Sequence, residues 1–149
     1  MAKALIWTIA AGLVLIASPA RAAVCTVGEG SIAFGSLLGF ASTAAHNTSG
    51  AFSITCTTNA PFTLALDRGL GRSVGSRLMT LSGGNATIRY QIYQDAAHST
   101  IFGDGTIGSA RGGVGTGTAQ LIDLFGQIPS QNISAVGTYS DSISVTTVF

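Results

Sequence analysis

Residues 139–149 read Y-S-D-S-I-S-V-T-T-V-F. Tyr139, Asp141, Ile143, Val145, Thr147 and Phe149 fall on one face, and Ser140, Ser142, Ser144, Thr146 and Val148 on the other. A two-residue period in β-branched and aromatic residues describes a half-buried strand. Coming last in the chain, such a strand has no hairpin to enter, so its partner on one side is drawn from earlier residues. Its other side is expected to be an open edge. Proteins commonly blunt open edges with Lys, Pro or a bulge, and residues 143–149 hold neither Lys nor Pro. The expectation is an edge left for another polypeptide to fill.

Upstream, strand-like segments recur with turns between them. Residues 31–34 form a short first strand ending at Gly35, followed by a loop over 36–50. In 51–57, Phe52, Ile54 and Cys56 face inward. Asn59-Ala60-Pro61 is a turn, 62–67 alternates as a third strand, and 68–75 is a glycine-rich stretch expected to be mobile. Residues 78–81 and 87–94 follow. In the latter Ile88, Tyr90 and Ile92 are expected inward, and Arg89, Gln91 and Tyr93 outward. A short segment at 100–102, a glycine-rich connection over 103–117 and a strand over 118–125 complete the set. No helical period appears, and short strands at this spacing indicate an all-β sandwich or barrel.

The N-terminal residues read differently. Lys3, an apolar run over 4–17 and the A-x-A site at Ala20 and Ala22 are the parts of a secretory signal peptide. Cleavage after Ala22 would leave 127 of the 149 residues, 23–149, as one domain. That exported part holds five arginines, no lysine and six acids, a net charge of −1. It carries no basic footprint for nucleic acid. Cys25 and Cys56, an even pair in an oxidising compartment, are expected to be disulfide-bonded.

Catalytic and metal chemistry finds little support. Two cysteines are too few for a zinc site, and neither His46 nor His98 lies at ligand spacing from them. Serines are abundant, but no G-x-S-x-G elbow accompanies the two histidines. Asp95 and Asp104 flank one segment, as a glycosidase pair would flank a cleft, yet aspartates beside Gly and Ala usually make turns. No calcium-loop register follows Asp104, and no G-K-[ST] follows the glycines of 103–117. The chain is read as non-enzymatic, with no cofactor and no metal.

Several segments in order carry a family resemblance. They are Cys25-Thr26-Val27, Ala33-Phe34-Gly35, Ile54-Thr55-Cys56 and I-R-Y-Q-I-Y-Q-D-A-A over 88–97. I-F-G-D-G-T over 101–106, L-F-G-Q-I-P over 124–129 and G-T-Y-S-D over 137–141 complete the set. Together they resemble the spore coat protein U domain family, which includes the pilins of archaic chaperone–usher pili. The resemblance implies an incomplete immunoglobulin-like β-sandwich completed by a donated strand. Its implied partners are a periplasmic chaperone, an outer-membrane usher and neighbouring pilin subunits. The implied destination is a surface pilus reached through the periplasm, with roles in adhesion and biofilm formation. The donor-strand groove would then be walled by Ile143, Val145, Thr147 and Phe149 on one side and by Ile32 and Phe34 on the other, the Phe149 carboxylate anchoring basic residues of the chaperone. Polymerising members place an alternating apolar donor stretch before the first cysteine. Here only Ala23 and Val24 would remain, reaching about 7 Å, so a tip or minor subunit that accepts without donating is expected. The alternative is a self-contained secreted β-sandwich, such as a coat or lectin-like binding protein.

Overall fold

Alternating apolar residues build two packed sheets, and the pairing between strands decides where the molecule is left open. In the computed structural model, residues 22–37, 41–42 and 44–149 are described. The signal-peptide reading falls, apart from Ala22, on residues outside these. Regular structure among the described residues is entirely β: β1 (Cys25–Ile32), β2 (Ala41–Ser42), β3 (His46–Cys56), β4 (Pro61–Leu66), β5 (Arg77–Leu81), β6 (Thr87–Tyr93), β7 (Arg111–Val114), β8 (Ala119–Ile128), β9 (Gln131–Asn132), β10 (Tyr139–Ser140) and β11 (Val145–Val148).

A six-stranded sheet runs β1-β3-β8-β6-β5-β10, and a three-stranded sheet runs β11-β4-β7; β2 and β9 pair separately. All three are antiparallel. From the large sheet Phe52, Ile54, Ile122, Leu124, Ile128, Met79, Ile88, Tyr90 and Ile92 point between the layers. The small sheet answers with Phe62, Leu64 and Leu66. This is the all-β sandwich expected of the sequence, and the inward faces of β3 and β6 are the ones the alternation predicts.

Cys25 lies opposite Cys56 in the β1–β3 register, and the two form a disulfide. It ties an edge strand to its one strand neighbour among the described residues. Cys56→Ser is expected to cost roughly 3–4 kcal/mol on the loop-closure estimate for a separation of 31 residues. Denaturant unfolding of the oxidised chain against the variant measures the difference.

Several expectations change. The strand expected at 31–34 begins at Cys25, because a bulge between Val27 and Gly30 lets a glycine-interrupted stretch stay paired. β3 starts at His46, five residues into the expected loop, and β7 lies inside the expected glycine-rich connection. Gln91, expected outward, is buried. Within 68–75, Gly71 N–H donates to the Arg68 carbonyl at 3.1 Å and Val74 is buried, so the segment packs on the fold. The largest change is at the C-terminus. The single strand expected over 139–149 is two: Tyr139 and Ser140 pair with Leu81 and Thr80 in the large sheet, whereas Val145–Val148 pair with β4 in the small one. Between them the chain crosses from one layer to the other.

Candidate functional site

That crossing opens a groove. Among the described residues β1 pairs only with β3, β10 only with β5, and β11 approaches β1 without bonding to it. The groove is ≈ 1130 Å³ in volume and runs between β1, continued by residues 33–37, and the segment 135–143 with Val145. Its floor is the core itself: Phe52, Leu66, Met79, Ile88, Tyr90, Ile92, Leu124, Ile128 and Ile133. Each of these side chains is itself buried, so the groove lies directly over the core where a further strand of a complete sandwich would lie.

Of the residues named from sequence, Ile32 and Phe34 lie on the β1 wall and Ile143 and Val145 on the opposite wall. All four pack partly buried against the core. Thr147 shares the inward face of Val145 but is not among the groove-lining residues, and its Oγ1 is buried with no hydrogen-bond partner. Phe149 is 55% exposed and outside the groove. The layer change at 141–144 accounts for this. It redirects the strand, so the C-terminal wall is built from residues 135–143 rather than from the last turns of the chain.

Where β1 leaves the ladder, side chains of β3 replace main-chain pairing. Thr48 Oγ1–H donates to the Ala33 carbonyl at 2.8 Å, and His46 Nε2 lies 2.6 Å from the Phe34 carbonyl. These contacts hold Phe34 over the floor, where its ring meets Tyr90 edge-on at 5.8 Å. Space for that ring comes from Gly126. A Cβ there would lie 2.8 Å from Phe34 Cζ and 3.0 Å from Ile32 Cγ2. Gly126→Ala is expected to push Phe34 out of its seat at about 1–3 kcal/mol. Loss of the ring-current shift that the Tyr90 ring imposes on Phe34 protons would report the displacement.

The opposite wall is held by a polar clasp. Asp141 accepts from Tyr90 Oη–H at 2.7 Å, from Leu70 N–H at 2.8 Å and from Ser142 N–H at 2.7 Å. Asp67 Oδ1 accepts from Ser144 N–H at 3.0 Å and Gly69 N–H at 2.9 Å, while Asp67 N–H donates to the Ser144 carbonyl at 3.1 Å. The crossing residues are thus bonded at both ends. Partial burial pushes the Asp67 carboxyl up, but the N–H donors of Gly69 and Ser144, with nearby Arg77, outweigh it and hold the group below its ordinary range. Burial and the Asp141 carboxylate push the Tyr90 phenol well above its ordinary value. Tyr90 therefore stays protonated and remains a donor.

Behind the clasp lies Arg77, fully buried. Its guanidinium donates to the Asp67 carbonyl through Nε at 2.9 Å and Nη2 at 2.7 Å. It also reaches the Phe102 carbonyl at 2.9 Å, the Leu66 carbonyl at 3.3 Å and Gln91 Oε1 at 2.6 Å. Gln91 in turn donates to the Val74 carbonyl at 3.0 Å. The alternation pattern predicts neither residue as interior. The available signal was an arginine opening a strand opposite a tyrosine, Arg77 against Tyr90.

Elsewhere, polar side chains shape loops. Asp95 accepts from Ser99 N–H and Thr100 N–H, and Asp104 from Thr106 N–H and Ile107 N–H. These backbone donors hold both carboxyls below their ordinary range. Among the described residues, no group of three or more His, Cys, Asp or Glu could hold a metal ion.

Comparison with known proteins follows the same line. The family model described as Spore Coat Protein U domain matches residues 11–146. The fold is similar to a chain in the crystal structure of the CsuC-CsuE chaperone-tip adhesion subunit pre-assembly complex from archaic chaperone-usher Csu pili of Acinetobacter baumannii. That match has a TM-score of 0.59 and 21% identity, and covers 85% of this chain. This chain spans 40% of the length of that one. No curated protein matches.

Proposed function

The chain belongs to the Spore Coat Protein U domain family, and from that premise we propose that it is a structural, non-enzymatic subunit of an archaic chaperone–usher surface pilus. It accepts a donated strand in the groove between β1 and the C-terminal segment. One observation carries the reading: a groove floored by apolar core residues runs between two strand edges that, among the described residues, pair with no strand on that side. Such an edge is completed by β-augmentation, in which main-chain hydrogen bonds hold the incoming strand and alternate side chains enter pockets. A periplasmic chaperone supplies the first strand, and an outer-membrane usher passes the subunit to its neighbours.

The same reading makes this a terminal or minor subunit. Val24 is already engaged, its carbonyl accepting from Thr57 N–H at 2.9 Å and its N–H donating to Thr57 Oγ1 at 3.1 Å. A donor stretch would have to precede it, and signal cleavage after Ala22 would leave none. A terminal subunit is the one that meets a surface, which is how adhesion and biofilm formation enter. N-terminal sequencing of the secreted protein tests this part. A mature start well upstream of Ala23 would remove it.

The central test is expression in the periplasm with and without the chaperone. Alone, the chain is expected to aggregate or be degraded; with the chaperone it should be recovered as a stoichiometric complex. A stable soluble monomer made alone would instead support a self-contained coat or lectin-like sandwich.

A further inference from the structure

The strand-accepting reading leaves a problem of register. A donor with alternating apolar residues presents the same pattern after sliding by two residues, so apolar pockets of similar size do not by themselves fix its position. The β1 wall offers little side-chain relief to help. Its bulge sets Gly28 and Glu29 together against Ser53, since Val27 pairs with Ile54 and Gly30 with Phe52. Gly28 and Gly30 have no room for a side chain: a Cβ at the first would strike Ser53 Oγ, and one at the second would strike Phe52 Cβ and the Ala51 carbonyl. Glu29 is thus the single side chain between Val27 and Ser31. Bulges re-aim side chains out of the ladder's alternation. Glu29 borders the groove and is exposed, and among the described residues no hydrogen bond or ion pair engages its carboxylate.

Charge along the groove points the same way. Among the described residues Glu29 and Asp141 are the charged residues that border it, and no Lys, Arg or His does. Three donors already satisfy Asp141. Glu29 is left as the charge at the groove margin with no partner among the described residues. We propose that the strand inserted by the chaperone, apolar at alternate positions, carries one Lys or Arg opposite Glu29, and that this pair selects its register.

The test uses the full chain, oxidised and refolded from guanidinium by dilution into synthetic eleven-residue peptides. These alternate Val or Leu with Ser and bear one Lys, or Gln in its place. Because Glu29 is exposed, the Lys peptide is expected to bind only about fivefold more tightly than the Gln peptide at low salt. The preference should fade as salt is raised. Glu29→Gln should erase it, Glu29→Lys should reverse it toward a Glu peptide, and Asp123→Asn, an exposed carboxylate outside the groove, should leave it intact. A nitroxide on the peptide terminus reads register from the amides it broadens. Moving the Lys by two residues should shift that set by two residues along β1 in the wild type and not in Glu29→Gln. A Lys preference that survives Glu29→Gln, or a register indifferent to Lys position, overturns the proposal while leaving strand acceptance standing. Failure of every peptide to bind overturns strand acceptance itself. Self-association that no peptide displaces assigns the groove to a second copy and overturns the proposal as well.

Discussion

Val145→Asp is expected to abolish capture of the subunit by its chaperone. Val145 pairs with Leu66 at the start of β11, borders the groove and packs partly buried against the core. A carboxylate there would face Leu66 and the other apolar floor residues once a strand covers the groove. A buried charge without a partner costs several kcal/mol. At 1.4 kcal/mol per tenfold, that exceeds a hundredfold loss in donor affinity. The control is the adjacent residue. Thr146 is exposed on the opposite face, so Thr146→Asp tests charge and strand propensity without touching the groove. Co-purification with the chaperone, or peptide titration of the refolded chain, measures both variants. Equal behaviour of the two would show that the inward face of β11 does not meet the incoming strand.

Arg77→Met should have the largest effect on stability. The substitution removes the donors that serve the buried carbonyls of Leu66 and Phe102 and the part-buried carbonyl of Asp67, and one of the two donors to Gln91 Oε1, which keeps Ile92 N–H. Each buried acceptor left unpaired costs about 1–3 kcal/mol, so a loss of about 4 kcal/mol or more is expected. Arg77→Lys should recover less than half of it, because an ammonium does not reproduce the planar fork. The loss also bears on function. Asp67, whose carbonyl the guanidinium holds, bonds Ser144 through its carboxylate and its N–H, so the C-terminal wall should loosen as well. Thermal unfolding of donor-bound wild type and variant measures the first effect, and protection of the Ser144 amide from exchange the second. A stability loss under about 1 kcal/mol would mean that water replaces the guanidinium.

The contrast between these two residues shows what alternation does and does not reveal. Strand faces were legible: Phe52, Ile54, Ile88, Tyr90 and Ile92 are interior because a two-residue period leaves them no other place. Which sheet a strand joins was not. Residues 139–149 keep one unbroken pattern, yet Asp141 gathers three donors at the point where the chain changes layers. A period-2 reading counts such a residue as one more strand position. Arg77 and Gln91 were hidden for a related reason. Polar side chains are expected outside unless something inside satisfies them, and their partners are each other and the carbonyls of Leu66, Asp67, Val74 and Phe102, which no local pattern brings together. Ile32, Phe34, Ile143 and Val145 are named for the groove through the family resemblance, not through alternation alone. The bulge at Gly28 and Glu29 was not legible, since glycine reads as interruption whether or not the strand continues through it.

The two walls of the groove are fastened by different means, and this bears on how the molecule responds to pulling. β1 is joined to the interior of its sheet by a covalent bond between Cys25 and Cys56. The facing wall depends on carboxylates that grip a few N–H and hydroxyl groups around residues 141–144. Under tension along an inserted strand, the covalent side would act as the fixed jaw and the hydrogen-bonded side as the one that yields. Rupture should then begin at the C-terminal jaw, with the disulfide-linked half of the sandwich still folded.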